Sequence, residues 1–254
     1  MDDHLKPPRV DAHFHLDLFP DPVRSASART AAQIYTIAVT NAPSVFFHTE
    51  ALARKNPVIV PAAGLHPELA HSHGNELASL LLLVSNVRVI GEVGLDYTRS
   101  HADELARQRE IFAEILSKCS EVGNRVLSVH SRRSSSDVIS MIGHRFPGTV
   151  ILHWFTGTAR EAKRAVSMGC FFSVNCAMAR SDRGRRILQE LPPERVLTES
   201  DAPFLQCCPG HDGQPFGQHI VLELSRLWGQ SVDDVYKRIF ENFETIFPEY
   251  ASRF

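Results

Sequence analysis

Cysteine is too scarce and too poorly spaced to build with. The five residues, Cys119, Cys170, Cys176, Cys207 and Cys208, make an odd count without a single CxxC pair. Neither a disulfide framework nor a thiolate zinc site is indicated. Vicinal Cys207 and Cys208 read as reduced loop residues, although with His211 they offer donors for an extra ion. Long apolar runs are missing too: the greasiest stretch, Leu77 to Val84, is interrupted by Ser79 and falls far below the roughly 20 residues of a membrane span. The N-terminal MDDHLKPPRV is acidic and proline-bearing where a secretory signal needs a basic start and an apolar centre, so a cytoplasmic protein with no membrane partner is expected. Nor is there an excess of either charge. Lys plus Arg is 27 against 29 for Asp plus Glu, so no global basic field draws nucleic acid, and any polyanion must be bound locally.

What is present is an ordinary globular balance, 43% hydrophobic and 22% charged, which excludes disordered and coiled-coil classes. A length of 254 residues suits either two medium domains or one α/β barrel of about 250. No low-complexity linker or shift in composition divides the chain, so residues 1–254 read as one domain.

Short β-rich apolar runs alternate with helical patterns. The runs are Arg9 to His13, Gln33 to Val39, Pro57 to Ala62, Val87 to Gly91, Arg125 to His130, Thr149 to His153, Gly169 to Val174 and Arg195 to Glu199. Between them, His101 to Val122 repeats Leu105, Phe112, Ile115, Leu116, Cys119 and Val122 at helical spacing, with Gly123 as a stop. A last helix opens at Ser231, with Asp234 three residues on, and closes at Pro248. Eight strands, each a continuous apolar run, with helices between them predict a (β/α)8 TIM barrel, with a doubly wound open sheet as the alternative.

The chemistry lies in where the histidines fall. Five of the 13, His13, His15, His66, His130 and His153, close or immediately follow a predicted strand, the rim on which barrels build active sites. Asp11, Glu92, Glu199 and Asp201 fall in the same register. A rim with several imidazoles and carboxylates suits zinc, manganese or a similar divalent ion. His13 and His15, two apart on a strand, point to one face, and Asp11 is expected between the same walls. Glu92 among Val89, Ile90 and Val93 would be a buried charge, explained by a bridging role between ions.

The motifs DAHFHLD, GLHP, GEVGLDY, VHSRRS, HWFTG and ESDAPFL stand in the order and spacing of the TatD family of metal-dependent deoxyribonucleases, within the amidohydrolase superfamily. The resemblance runs from about Val10 to Phe247. It implies a metallo-dependent hydrolase barrel with two adjacent divalent ions (zinc, manganese or magnesium) and metal-activated water that cuts phosphodiester bonds. By motif, His13, His15, Glu92 and Asp201 would hold one ion and Glu92, His130 and His153 the other. By the same resemblance Glu92 and Asp201 would be the catalytic carboxylates, the second orienting the water or taking its proton. His66 and Arg132 are expected to contact substrate phosphate. The expected substrate is single-stranded or frayed DNA, digested 3′ to 5′.

Two stretches bear on the grip. Arg180, Arg183, Arg185 and Arg186 cluster after the seventh strand, where barrels often bind phosphate, although a solvated helix face is the more ordinary account of them. After ESDAPFL the family carries a basic loop, whereas Gln206 to Gln218 has no Arg or Lys. Two other functions share the ligands: hydrolysis of a small amide, lactone or phosphoester, and a metal-bearing subunit in a multiprotein antiviral defence complex.

Overall fold

The computed structural model describes residues 7–98, 101–205 and 218–250. Eight strands form one parallel sheet in the order of the chain: β1 (Arg9–Phe14), β2 (Ile34–Ala38), β3 (Ile59–Ala63), β4 (Val89–Gly94), β5 (Val126–His130), β6 (Thr149–His153), β7 (Phe171–Val174) and β8 (Val196–Thr198). The ends meet. Asp201 N–H donates to His13 O at 3.0 Å, and His15 N–H to Ala202 O at 3.0 Å, which zips the segment after β8 onto the end of β1. This is the expected TIM barrel, with strand bounds within two or three residues of those read from the sequence.

Helices return the chain between strands: α1 (Pro22–Ala31), α2 (Pro43–Ala53), α3 (Leu77–Val84), α4 (Ala102–Val122), α5 (Ser135–Ile142), α6 (Ala159–Ser167), α7 (Cys176–Arg180), α8 (Asp182–Leu188), α9 (Gln218–Trp228) and α10 (Val232–Ile246). No helix among the described residues is long and apolar enough to cross a membrane. Their ends follow from capping chemistry. The Glu104 carboxylate accepts the His101 N–H at 3.1 Å to open α4, and Ser231 Oγ accepts the Asp234 N–H at 3.2 Å to open α10. The apolar stripe of each helix is buried against the sheet: Phe112, Ile115, Leu116 and Cys119 on α4, Val235, Ile239, Phe243 and Ile246 on α10. Asn242 of α10 donates to Pro193 O at 2.7 Å and Val196 O at 2.8 Å, fixing that helix to the start of β8.

Two expectations change. The odd cysteine count argued for reduced thiols, and Cys119 and Cys170 are buried and free, but Cys176 is disulfide-bonded. Cys207, Cys208 and His211 lie outside the described residues. The second change concerns Asp11. Asp11 pairs with Thr36 and Phe14 with Ala38, so between them two residues of β1, Ala12 and His13, oppose the single Ile37 of β2. Thr36 and Ala38 share a face, so this bulge turns Asp11 and Phe14 together toward α1, away from His13 and His15. There the Asp11 carboxylate meets Arg29 Nη2 at 2.9 Å, and accepts from Ser200 N–H at 2.8 Å and Ser200 Oγ–H at 2.7 Å. Arg29, also buried, donates to Thr36 Oγ1 at 2.9 Å and lies 3.4 Å above the Phe14 ring.

Removing one partner of a buried pair strands the other. Arg29→Met should therefore cost about 3–5 kcal/mol in chemical denaturation. Burial already raises the Asp11 carboxyl, with Arg29 opposing that effect. Without Arg29 the folded form holds the proton more tightly than the unfolded chain does. The deficit should be smallest in acid and grow as pH rises above the ordinary carboxylate range. Adding Asp11→Asn should recover part of the loss and flatten that pH dependence.

Candidate metal centre

At the carboxyl ends of the strands the barrel opens into a cavity of about 470 Å³, its floor made by His15, His66, Glu92, His130, His153 and Asp201. Glu92 is at the centre, buried to 2% exposure, and its two oxygens face different groups. Oε2 stands 3.4 Å from His13 Nε2 and 3.5 Å from His15 Nε2. Oε1 stands 2.7 Å from His130 Nδ1, 2.9 Å from His153 Nε2 and 3.5 Å from His66 Nε2. Asp201 Oδ1 closes the first group, 3.8 Å from His13 Nε2 and 3.5 Å from His15 Nε2.

Local sequence explains the approach. Glu92 lies between two glycines on β4. A Cβ on Gly91 would meet the Ser128 Cβ at 2.7 Å, and Gly94, at φ +139°, would place one 2.1 Å from His130 O. Only glycine lets β4 and β5 come this close, which is what brings Glu92 and His130 together. Asp201 takes a left-handed φ of +49°, a conformation Asp tolerates better than most residues, with its carbonyl accepting from the Phe204 and Leu205 N–H groups.

Three of the imidazoles are oriented from behind. His13 Nδ1 pairs with Ser128 Oγ at 2.9 Å, His130 Nε2 with Asp96 Oδ2 at 2.8 Å, and His153 Nδ1 faces Glu199 Oε2 at 3.5 Å. Glu199 is itself held by Ser173 Oγ and by Asn175 Nδ2. These contacts leave His13 Nε2, His130 Nδ1 and His153 Nε2 for the centre, the arrangement by which outer carboxylates and hydroxyls fix metal-ligating histidines. Ser128, Asp96 and the backing role of Glu199 were not foreseen. The Asp in GLDY and the Glu in TESDAP were the signals available.

Charge is finely divided. Burial pushes Glu92 up, but His66, His153 and His13 outweigh it and hold the carboxyl well below its usual range. Burial, with His153 beside it, drives His13 down to about 3. Burial also lowers His153, yet Glu92 and Glu199 more than compensate and hold it well above an ordinary histidine. His130 is raised in the same way, by its hydrogen bonds to Asp96 and Glu92. Asp201, with the imidazoles of His15, His153 and His13 opposing its burial, is lowered and ionised at neutral pH.

The donor set fits divalent ions. His13 Nε2 is buried with no hydrogen-bond partner, facing carboxylate oxygens at 3.4 and 3.8 Å. Those gaps are long for hydrogen bonds. They match the ~3.3 Å between two donors that each lie about 2.0–2.1 Å from one tetrahedral ion. Three sets of donor atoms lie within 4.8 Å of one another: His13, His15 and Asp201; His13, Glu92 and His153; and His66, Glu92 and His130. All six expected ligands are brought together. His66, expected to meet substrate phosphate, stands within ligand range of Glu92 and also accepts the Glu68 N–H at its Nδ1. Arg132 is exposed at the mouth. Of the arginine cluster, Arg183 Nε donates to Gly157 O at 2.9 Å and Arg185 Nη1 to Ala179 O at 3.0 Å, so both already serve the local backbone.

Comparison with known proteins agrees with this geometry. Residues 10–248 match the model of the family described as TatD related DNase. An uncharacterized metal-dependent hydrolase TatD of Mycobacterium tuberculosis is 35% identical, over 77% of this chain and 80% of that protein. A 3′-5′ ssDNA/RNA exonuclease TatD of Edwardsiella piscicida is 33% identical, over 71% and 74%. The crystal structure of YJJV, a TATD homolog from Escherichia coli, superposes with a TM-score of 0.80 at 23% identity, over 94% of this chain and 97% of that one.

Because His153, held well above an ordinary histidine, carries a proton that a cation must displace, metal uptake by metal-free protein at neutral pH should release protons, and affinity should fall as pH falls. Calorimetric titrations with zinc in buffers of different ionisation enthalpy will read this as a slope. His153→Ala should reduce the slope. A heat that does not depend on the buffer would mean that the imidazoles enter the site neutral.

Proposed function

The chain belongs to the TatD related DNase family, and from that premise we propose that it is a metal-dependent phosphodiesterase that trims single-stranded or frayed DNA from the 3′ end. The observation that carries the reading is the division of Glu92 between two groups of donors, one on each of its oxygens. His13, His15, Glu92 and Asp201 would hold one divalent ion, and Glu92, His130 and His153 the second. Such ions supply the Lewis acidity that hydrolysis of a phosphodiester at neutral pH requires.

The protein's own groups do the rest. Asp201, held ionised by the imidazoles around it, accepts the proton of the attacking water. Arg132 at the mouth and His66 on the floor contact the phosphate on either side of the bond that breaks. A cavity of about 470 Å³ suits one nucleotide and not a duplex, which supports unpaired ends as substrate. The polarity follows the name of the Edwardsiella relative.

Three variants test the reading. Glu92→Ala should lower metal content at both sites by elemental analysis, whereas His153→Ala should mainly empty one. Asp201→Asn should keep the fold and cut turnover on an oligonucleotide by about 100-fold to 10,000-fold, the contribution of proton transfer. Phosphorothioate linkages at the 3′ end should block digestion. Cleavage of small esters with no cleavage of any oligonucleotide would move the substrate to the small-molecule class.

A further inference from the structure

Two aromatic rings stand on one side of the cavity, and nothing in the metal chemistry calls for them. Phe204 follows Asp201 by three residues and is 59% exposed, its ring edge-to-face with the His15 imidazole at 5.0 Å and 86°. Trp154 follows His153 directly, is half-buried, and lines the same cavity. Trp154 packs against the buried cluster of Cys176 and Leu205, and Leu205 is the chain neighbour of Phe204. Both rings are thus carried by residues adjacent to metal-ligand candidates on β6 and after β8.

A lone exposed phenylalanine is common and needs no explanation. Trp154 adds a second, independent feature. Its φ is +35°, a left-handed conformation that a bulky side chain rarely adopts, and its N–H is tied to Ser173 O at 3.2 Å. Backbone held in such a region by its surroundings is found where a side chain must be aimed. Here it aims the indole at the cavity that holds Glu92 and Asp201.

We infer that Phe204 and Trp154 form a stacking platform for the unpaired base of the nucleotide whose phosphate lies at the metal centre. This deepens the nuclease reading above and rests on it. The floor is polar and takes the phosphate; the wall is flat and apolar and takes the base. Stacking uses a π-face that every base possesses, so the platform selects an unpaired end without selecting its sequence. A base still paired in a duplex cannot present that face.

The probe is a single-stranded oligodeoxynucleotide, fluorescently labelled away from the attacked end, and the same strand with an abasic terminal nucleotide. Binding to metal-loaded protein is followed by anisotropy, with phosphorothioate linkages at the attacked end of both strands to prevent digestion. Phe204→Ala and Trp154→Ala should each weaken binding of the intact strand by about 5-fold to 150-fold, the range expected from stacking one base. The loss should shrink on the abasic strand, and Phe204→Tyr should restore binding. In a Trp228→Phe background, where Trp154 is the remaining tryptophan, the intact strand should quench fluorescence more than the abasic one. This second readout does not depend on the alanine variants folding. Equal losses on both strands, unchanged affinity in both alanine variants, or equal quenching would overturn the platform while leaving the nuclease reading standing. Wild-type protein that neither binds nor cuts any oligonucleotide would remove both.

Discussion

A carboxylate at the centre of a barrel is stable as an anion only where positive charge comes to meet it. Glu92 has almost no contact with water, and burial alone would keep it protonated. Five imidazole nitrogens within 3.5 Å reverse that outcome, three on one oxygen and two on the other. The imidazoles cannot all be protonated, since they repel one another: His13 and His153 stack at 3.7 Å, and the charges of His153 and His15 both depress His13. A divalent cation held beside Glu92 would resolve both conflicts, because it would supply the charge while leaving the imidazoles neutral.

That arrangement explains features well outside the cavity. The outer partners Ser128, Asp96 and Glu199 decide which nitrogen of each histidine looks inward. The glycines beside Glu92 let β4 approach β5 closely enough for Ser128 and His130 to take part. At the seam of the barrel, Asp11 grips Ser200 by both its N–H and its hydroxyl, and Asp201 and His13 share a backbone hydrogen bond. The buried Asp11 and Arg29 pair on the outer face therefore steadies the segment that delivers Asp201 to the inner one.

Much of this was legible in the chain. Eight apolar runs gave eight strands because both faces of a parallel barrel strand are buried, and strand ends marked the rim because that is where His13, His15, His130 and His153 appear. Asp11 defeated the same logic. Simple alternation places it beside His13, and a bulge, which leaves no mark in the pattern of apolar and polar residues, turns it to α1. Ser128 and Asp96 were equally silent, since a serine within an apolar run and an aspartate before a tyrosine have many ordinary uses. Their meaning comes from which histidine nitrogen they meet, a matter of distances of 2.8 and 2.9 Å that only the fold supplies.

The difference in legibility follows from what each part of the site must do. Ligands of a cation need fixed positions, and strands, with their hydrogen-bonded neighbours on both sides, provide them; the residue types and their spacing are then tightly constrained. The proposed contacts to a substrate are carried by residues one to three positions further on: Arg132 after His130, Trp154 after His153 and Phe204 after Asp201. Those positions lie just beyond the ends of the strands with their side chains at the cavity mouth, so the packing of the barrel does not dictate whether a cation, an indole or a phenyl ring stands there. Substrate choice can therefore vary on this scaffold while the centre stays the same, and the wall of the cavity, not its floor, is where this chain's own preference is written.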